Sequence, residues 1–293
     1  MRSLNVPGID RAGVHYLRNI ADVDAIREHF GTGANLVVVG GGYIGLEVAA
    51  IAVKRGLNVT VLEAADRVMP RVVGAEVSAF FERVHGEEGV DLRTGMGVTG
   101  FAGTGKLERV ICANGDELDA DVAVVGVGIL PNQELAADAG LKTENGIVVD
   151  ACCRTEDPHI FAAGDCTWHP NEIYGRHMRL ESVHNALEQA KTAALAMLGE
   201  DKPYNQVPWF WSDQYDIKFQ IAGLSEGYDR IVVRGDPEAR KFAAFYLQDG
   251  RLIAVDAINA AKEYMVGRKM IGERAEPDPD RLADLSVDMK EIV

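Results

Sequence analysis

Leu36-Val37-Val38-Val39-Gly40-Gly41-Gly42-Tyr43-Ile44-Gly45-Leu46-Glu47 leads into an alanine-rich run and then into Asn58-Val59-Thr60-Val61-Leu62-Glu63. An apolar β-branched run enters a Gly-x-Gly-x-x-Gly turn at Gly40, Gly42 and Gly45. Helical patterning runs from about Ile44 to Arg55, and a second strand ends on an acid eighteen positions after Gly45. This strand–turn–helix–strand order is the context a dinucleotide fingerprint requires. Gly40 allows a sharp turn, Gly42 lets a pyrophosphate approach the backbone, and Gly45 lets the helix pack close to the strand. The phosphates are expected at the helix N-terminus, at Tyr43 and Ile44, where backbone N–H groups lack helical partners. Glu63 can accept hydrogen bonds from ribose hydroxyls and would repel a 2′-phosphate, which favours NADH over NADPH. Arg67 and Arg71 follow closely; they either touch the nucleotide or are solvent-exposed loop arginines.

Outward from this stretch, 293 residues suffice for two or three domains. A net charge of −15 argues against general nucleic-acid binding and against an anionic membrane surface. There is no apolar run long enough to span a bilayer and no apolar signal core after Met1, so a cytoplasmic protein is expected. Four cysteines, Cys112, Cys152, Cys153 and Cys166, form neither Cys-x-x-Cys nor a metal-ligand spacing. Cys152 and Cys153 are expected to alternate between core and surface on a strand. No metal site is expected.

In chain order, residues 1–20 read as extended or loop-like, and Asp22–Phe30 as a short helix with Asp22 as a possible N-cap. A dinucleotide domain usually starts with its glycine turn, yet here about 35 residues precede it. Gly74–His85 patterns as a helix and Val90–Arg93 as a short strand. Turns at 103–105 and 114–116 divide residues 94–119 into a small antiparallel insertion. Asp121–Gly128 reads as a buried strand reaching glycines, and Pro131-Asn132 opens a helical stretch ending near Gly140. A strand is expected to end at Gly164-Asp165, followed by a helix from about Ser182 to Leu198. Beyond Pro203 and Pro208 come an aromatic run at 209–215, four strand patterns between Ile217 and Ile258, a helix over Asn259–Ile271 and a short terminal helix.

Two residues carry open readings. Glu47, early in an apolar helix, is either a dipole-favoured carboxylate or a group aimed at the reacting end of the nucleotide. Asp165, beside a permissive glycine, is either a turn or cap residue or a ligand for ribityl or ribose hydroxyls. The aromatic run near Trp211 is likewise either core or a wall beside a planar cofactor.

Taken together, Val39–Glu47, Val124–Asn132, Ile160–Asp165 and Trp211–Gln214 resemble, in order and spacing, the FAD-containing ferredoxin reductases of the glutathione-reductase-like superfamily. The nearest group looks like the NADH-dependent reductases serving aromatic-ring dioxygenases, bacterial P450 systems and rubredoxins. The resemblance implies an α/β fold: a Rossmann-type NAD domain (21–128), part of a second Rossmann-type FAD domain (129–202, with 1–20 as a remnant) and a C-terminal α+β domain (203–293). It implies FAD and NAD as cofactors and a small ferredoxin, of the [2Fe-2S] type, or a rubredoxin as partner. The oxygenase is reached only indirectly.

Carried over residue by residue, Gly40, Gly42, Gly45 and Glu63 resemble the NADH site, with Tyr43, Ile44, Arg71 and Gly128 beside it. Gly164 and Asp165 resemble the turn that holds the FAD ribityl chain. Glu181–Ala186, including Val183, matches the segment that approaches the isoalloxazine, and Trp211 the aromatic beside it. Glu47 resembles a carboxylate near the nicotinamide–flavin contact. Positioning by Glu47 and Trp211 is expected rather than side-chain acid–base catalysis, and the cysteines omit the redox pair of the superfamily's disulfide reductases. A docking patch for an acidic ferredoxin is expected among Arg234, Arg240, Lys241, Arg268 and Lys269. Family members carry an earlier glycine fingerprint for FAD that this sequence lacks, so the chain is read as truncated and expected to bind FAD weakly or not at all by itself. The rivals are a rubredoxin reductase or NADH oxidase on the same scaffold, and a flavin-free NAD-binding module.

Overall fold

Residues 1–292 are described by a computed structural model in which the chain divides into two compact units. The first holds Met1–Ile129 and Ser212–Ile217; the second holds Leu130–Trp211 and the described chain from Lys218 onward.

The first unit runs β1 (Val14–Tyr16), α1 (Ile20–Arg27), β2 (Asn35–Val39), α2 (Tyr43–Lys54), β3 (Asn58–Leu62), α3 (Ala75–Glu87), β4 (Asp91–Arg93), β5 (Val98–Ala102), β6 (Arg109–Cys112), β7 (Glu117–Asp119) and β8 (Val122–Val125). Five strands form a parallel sheet in the order β1-β8-β2-β3-β4. Parallel strands covered on both faces carry continuous apolar runs, and Leu36–Val39 and Val122–Val125 are buried throughout. Strand order reverses between β2 and β8, so their carboxyl ends open the crevice where such sheets take ligands. The β5-β6-β7 meander is the antiparallel insertion the turn signals predict.

Two expectations at the start of the chain are corrected. Residues 1–20 are not merely loop: Val14–Tyr16 add an edge strand beside β8, and Leu4, Val6 and Ile9 pack on the core that includes Phe101, Leu107 and Val125. The first helix is capped by Asn19, not Asp22. Asn19 Oδ1 accepts from the Asp22 N–H at 3.2 Å, and Asp22 returns its carboxylate to the Asn19 N–H at 2.9 Å, a reciprocal capping box.

The second unit runs α4 (Glu134–Asp138), β9 (Thr143–Glu144), β10 (Gly146–Val148), β11 (Thr167–Asn171), β12 (Arg176–Met178), α5 (Val183–Met197), β13 (Trp209–Gln214), β14 (Ile217–Gly223), β15 (Arg230–Asp236), β16 (Lys241–Gln248), β17 (Arg251–Ile258), α6 (Ala261–Gly272) and α7 (Pro279–Ala283). A small mixed sheet has the order β12-β11-β10-β9, and an antiparallel sheet the order β13-β14-β17-β16-β15. Residues 212–217 at the β13–β14 turn belong to the first unit. The two Rossmann-like sheets and the C-terminal α+β sheet are the fold class the sequence implies. α6 covers one face of the C-terminal sheet, where Phe245, Leu252, Val255, Tyr264 and Met270 share a core. Among the described residues no helix is long and apolar enough to cross a membrane, and no group of three or more His, Cys, Asp or Glu can hold a metal.

Here too the structure corrects details. The strand expected to end at Gly164-Asp165 is displaced to β11, beyond the turn. Before the turn, the Ile160 carbonyl is taken by the N–H and hydroxyl of Thr155, leaving a single bridge between Arg154 and Phe161. Cys152 and Cys153 lie in a turn rather than a strand, and both are buried. All four cysteines are free thiols, and burial pushes Cys153 up to about 12.

Candidate functional site

The sharpest geometry lies where β2 meets α2. Gly40 has φ +111°, and a side chain there would meet the Gly126 carbonyl oxygen at 2.5 Å. A side chain at Gly45 would meet the Gly40 carbonyl oxygen at 2.1 Å. Gly42 differs, because a Cβ there would meet nothing within 4 Å. It is the N-cap of α2; no side chain caps this end and its first turn carries no acid. The positive end of the helix dipole is thus open to an anion.

Glu63, one residue past β3, braces the turn. Its carboxylate accepts from the Gly41 N–H at 2.7 Å and from the Ala65 N–H at 2.8 Å. Each oxygen keeps a lone pair for a further donor. Arg67 and Arg71 part company. The Arg67 guanidinium donates to the Val73 and Pro70 carbonyls and to Ser78 Oγ at 2.9, 3.0 and 2.6 Å, so it is a structural staple, not an exposed loop arginine. Arg71 is exposed, with its Nη2 3.7 Å from where a Cβ on Gly128 would lie. Gly128 has φ +101°, and its carbonyl accepts from the Arg2 N–H at 2.9 Å. Arg2 gave no signal in the sequence, because only the tertiary fold returns it to the end of β8.

Tyr43 and Ile44 open α2, Ile44 exposed. Glu47 follows one turn later, half-buried, its Oε1 accepting from Ser212 Oγ at 2.6 Å. Burial pushes its carboxyl above the ordinary range; the Ser212 hydrogen bond opposes the rise and Asp213 adds to it.

In the second unit Gly164 turns with φ +86°. Its N–H donates to Gln189 Oε1 at 2.7 Å, and the Thr167 hydroxyl lies 2.8 Å from the same oxygen and 2.9 Å from the Gly164 carbonyl. Gln189 is fully buried on α5; sequence reading missed it, since a glutamine mid-helix carries no motif. Asp165 is half-buried, and its carbonyl lies 3.4 Å from Arg179 Nη1. Arg179 is paired with Glu181 at 2.5 Å. Ser182 caps α5 by accepting from the Asn185 N–H at 3.1 Å, and Val183 is exposed at the first helical position.

Trp211 is 46% exposed, with its ring centroid 5.7 Å from Trp209. Trp209 in turn lies 5.3 Å from the His184 ring, and the Arg268 guanidinium sits 5.3 Å from its centroid. Trp211 and the start of α5 are therefore joined through Trp209. Burial and the Arg268 charge hold His184 below its ordinary pKa.

One proposed docking residue is withdrawn. Arg234 is 5% exposed, and its guanidinium donates to the Leu282, Asp284 and Val287 carbonyls at 3.2, 2.5 and 2.9 Å. It ties the C-terminal segment to β15 and is not free for a partner. Lys269 is exposed beside Glu273 at 3.7 Å.

Comparison with known proteins matches two stretches of the chain. A family model described as pyridine nucleotide-disulphide oxidoreductase matches residues 1–190, and one described as reductase C-terminal matches residues 209–293. Putidaredoxin reductase CamA of Pseudomonas putida is 47% identical over 281 residues, covering 95% of this chain and 67% of that protein. The ferredoxin–NAD(+) reductase component of the biphenyl dioxygenase system of Paraburkholderia xenovorans is 37% identical, covering 100% of this chain and 72% of that protein. The crystal structure of the covalent putidaredoxin reductase–putidaredoxin complex superposes with a TM-score of 0.96 at 45% identity, covering 99% of this chain and 71% of that one. The chain thus spans about seven-tenths of the length of these relatives. With its fingerprint turn in the first match and its α+β sheet in the second, the chain belongs to the pyridine nucleotide-disulphide oxidoreductase family, in the branch that carries a reductase C-terminal domain.

Proposed function

We propose that this chain binds NADH and serves a flavoprotein reductase that passes electrons from NADH to a small [2Fe-2S] ferredoxin, which feeds an oxygenase. The observation that carries this reading is 47% identity with a putidaredoxin reductase running through both matched stretches. Four free thiols suit a reducing compartment such as the cytoplasm.

The residues fit a dinucleotide. The space over Gly42 is open, the α2 N-terminus is uncapped by side chains, and Glu63 is held with lone pairs to spare. Gly40, Gly42, Tyr43, Ile44 and Gly45 would hold the pyrophosphate, and Glu63 the adenosine ribose. Arg71, beside Gly128, would reach the phosphates. With Arg67 consumed as a staple, the balance beside Glu63 favours NADH over NADPH. The second unit fits part of a flavin site: Gly164 is held in a positive-φ turn, Asp165 is half-buried beside it, and Val183 is exposed at the helix start. There Asp165 would hold ribityl hydroxyls, while Val183 and Trp211 would flank the ring. FAD, when bound, converts a two-electron donor into single-electron transfers. The chain's own part is to orient the nicotinamide through Glu47 and to exclude water.

Steady-state assays of the flavin-loaded protein test the reading. NADH-dependent reduction of a [2Fe-2S] ferredoxin should exceed that of rubredoxin and of oxygen, and Glu63→Ala should raise KM for NADH about tenfold. Equal rates with oxygen would make it an oxidase. Absence of flavin absorbance after loading would make this chain a nucleotide-binding module only.

A further inference from the structure

A buried histidine on α3 is the starting point. His85 is fully buried, and a neutral imidazole has one donor and one acceptor to satisfy. Both partners come from residues 212–217, which belong to the same unit. Tyr215 Oη lies 2.9 Å from Nδ1, and Gln214 Oε1 lies 2.9 Å from Nε2. The Gln214 side-chain amide continues the line, its Nε2 donating to Ser212 Oγ at 3.1 Å. Ser212 Oγ donates to Glu47 Oε1 at 2.6 Å. Gln214 and Ser212 are each 1% exposed. Four hydrogen bonds therefore link Tyr215, His85, Gln214, Ser212 and Glu47 without a gap.

The polarity of this line is determined by valence. Gln214 Oε1 can only accept, so the His85 proton is on Nε2. Nδ1 is then a lone pair, and the Tyr215 hydroxyl donates to it. Ser212 receives from Gln214 and spends its one proton on Glu47. Every donor points toward the carboxylate. A glutamine amide does not release its proton under these conditions, so the line is not a proton wire. It polarises and orients, each bond strengthening the next in a low-dielectric interior. Burial holds His85 below its ordinary pKa, against the Gln214 hydrogen bond and the Glu88 charge, which keeps the ring neutral as the polarity requires. The Lys54 ammonium sits 5.5 Å from the Tyr215 ring centroid at the far end.

We infer that His85, Gln214 and Ser212 are positioning residues that hold Glu47 in one rotamer as an ionised hydrogen-bond acceptor for the nicotinamide end of the bound dinucleotide. This rests on the reading above that places Glu47 at that end. Loss of hydride from NADH, with its electron pair passing to the acceptor, leaves a positive charge on the nicotinamide ring. A fixed carboxylate nearby favours that charge, and one fixed beforehand needs no reorganisation as the charge develops. A protonated Glu47 could still accept from Ser212 through its carbonyl oxygen, but a hydrogen bond to a carboxylate is the stronger one, so the Ser212 donor favours the ionised form.

Side-chain 15N NMR of the histidine-labelled full chain, with carboxylate titration of Glu47, tests this. At pH 8 His85 should be the Nε2–H tautomer. Ser212→Ala should remove the donor to Glu47 and raise the proton affinity of Glu47 about tenfold, with Gln214→Leu as a second cut in the line. Thermal unfolding checks that each variant is folded, and the mild Ser212→Ala change keeps the test open if Gln214→Leu does not fold. An Nδ1–H tautomer at pH 8, or an unchanged Glu47 midpoint in folded Ser212→Ala, overturns the relay. The placement of Glu47 is tested separately by the ratio of NAD⁺ to NADH affinity. Glu47→Gln should lower that ratio at least fivefold and Ser212→Ala about twofold. An unchanged ratio in Glu47→Gln overturns the nicotinamide role even where the tautomer result stands.

Discussion

Two glycine turns, one in each unit, are built on opposite plans. The Gly40–Gly45 turn is shaped chiefly by main chain, since side chains at Gly40 and Gly45 would strike carbonyl oxygens at 2.5 and 2.1 Å. The Gly164-Asp165 turn is shaped by side chains. A Cβ at Gly164 would meet only Ala186, its Cβ at 3.4 Å, while Gln189 and Thr167 hold the backbone. The first plan puts its determinants within a few residues and one neighbouring strand. The second draws them from a helix 25 residues further on. A turn of the first kind announces itself in sequence, and one of the second kind does not.

The largest break in the comparison should come from Gly45→Ala. No rotamer change relieves a main-chain clash, so α2 must move off β2. We expect a stability loss of more than about 4 kcal/mol and no measurable NADH binding. Thermal unfolding and a fluorescence titration read both; a melting temperature near that of the parent would refute the main-chain plan.

Acid should separate the two turns next. His169 is buried beside Thr167, its Nδ1 3.4 Å from the hydroxyl. Burial, helped by the His177 charge, lowers its pKa to about 4. The folded state thus keeps it neutral where the unfolded chain, titrating near 6.5, takes up a proton. Its contribution is complete above the unfolded value and is lost as pH falls from about 6.5 through about 4, up to about 3 kcal/mol. His169→Gln should flatten that part of the stability–pH curve measured by urea unfolding. A curve of unchanged slope would exclude His169 as its source.

A smaller effect should follow from Gln189→Leu, which leaves the Gly164 N–H buried without its acceptor. About 1–3 kcal/mol is expected, with faster amide exchange at Gly164 and none of it at Gly40. Exchange that quickens at both turns would mean that they do not form independently.

Smallest in stability, and most informative about binding, is Gly42→Ala. A methyl group there meets nothing within 4 Å, so stability should change by no more than about 0.5 kcal/mol. NADH affinity should nevertheless fall at least tenfold, because the methyl occupies the approach to the backbone. Equal affinity would place the pyrophosphate elsewhere.

The sequence was most readable where period and turn chemistry act locally. The runs at 36–39 and 122–125, the helix after Gly42, the insertion at 98–119 and the four strands from 217 to 258 follow from apolar patterning and glycine turns. It was least readable where distant side chains decide. The Ile160 carbonyl goes to Thr155, and the strand lies beyond Gly164, at Thr167–Asn171. Arg234 looks like a surface cation in sequence and is buried by carbonyls of residues 282–287.

Glu47 divides the two kinds of knowledge. The sequence alone put a carboxylate one turn into the helix after a dinucleotide fingerprint, because spacing along a helix is local and periodic. Only the tertiary structure could supply Ser212, Gln214 and His85, since buried hydrogen-bonding groups must find partners wherever packing brings them, and no pattern along the chain records that meeting.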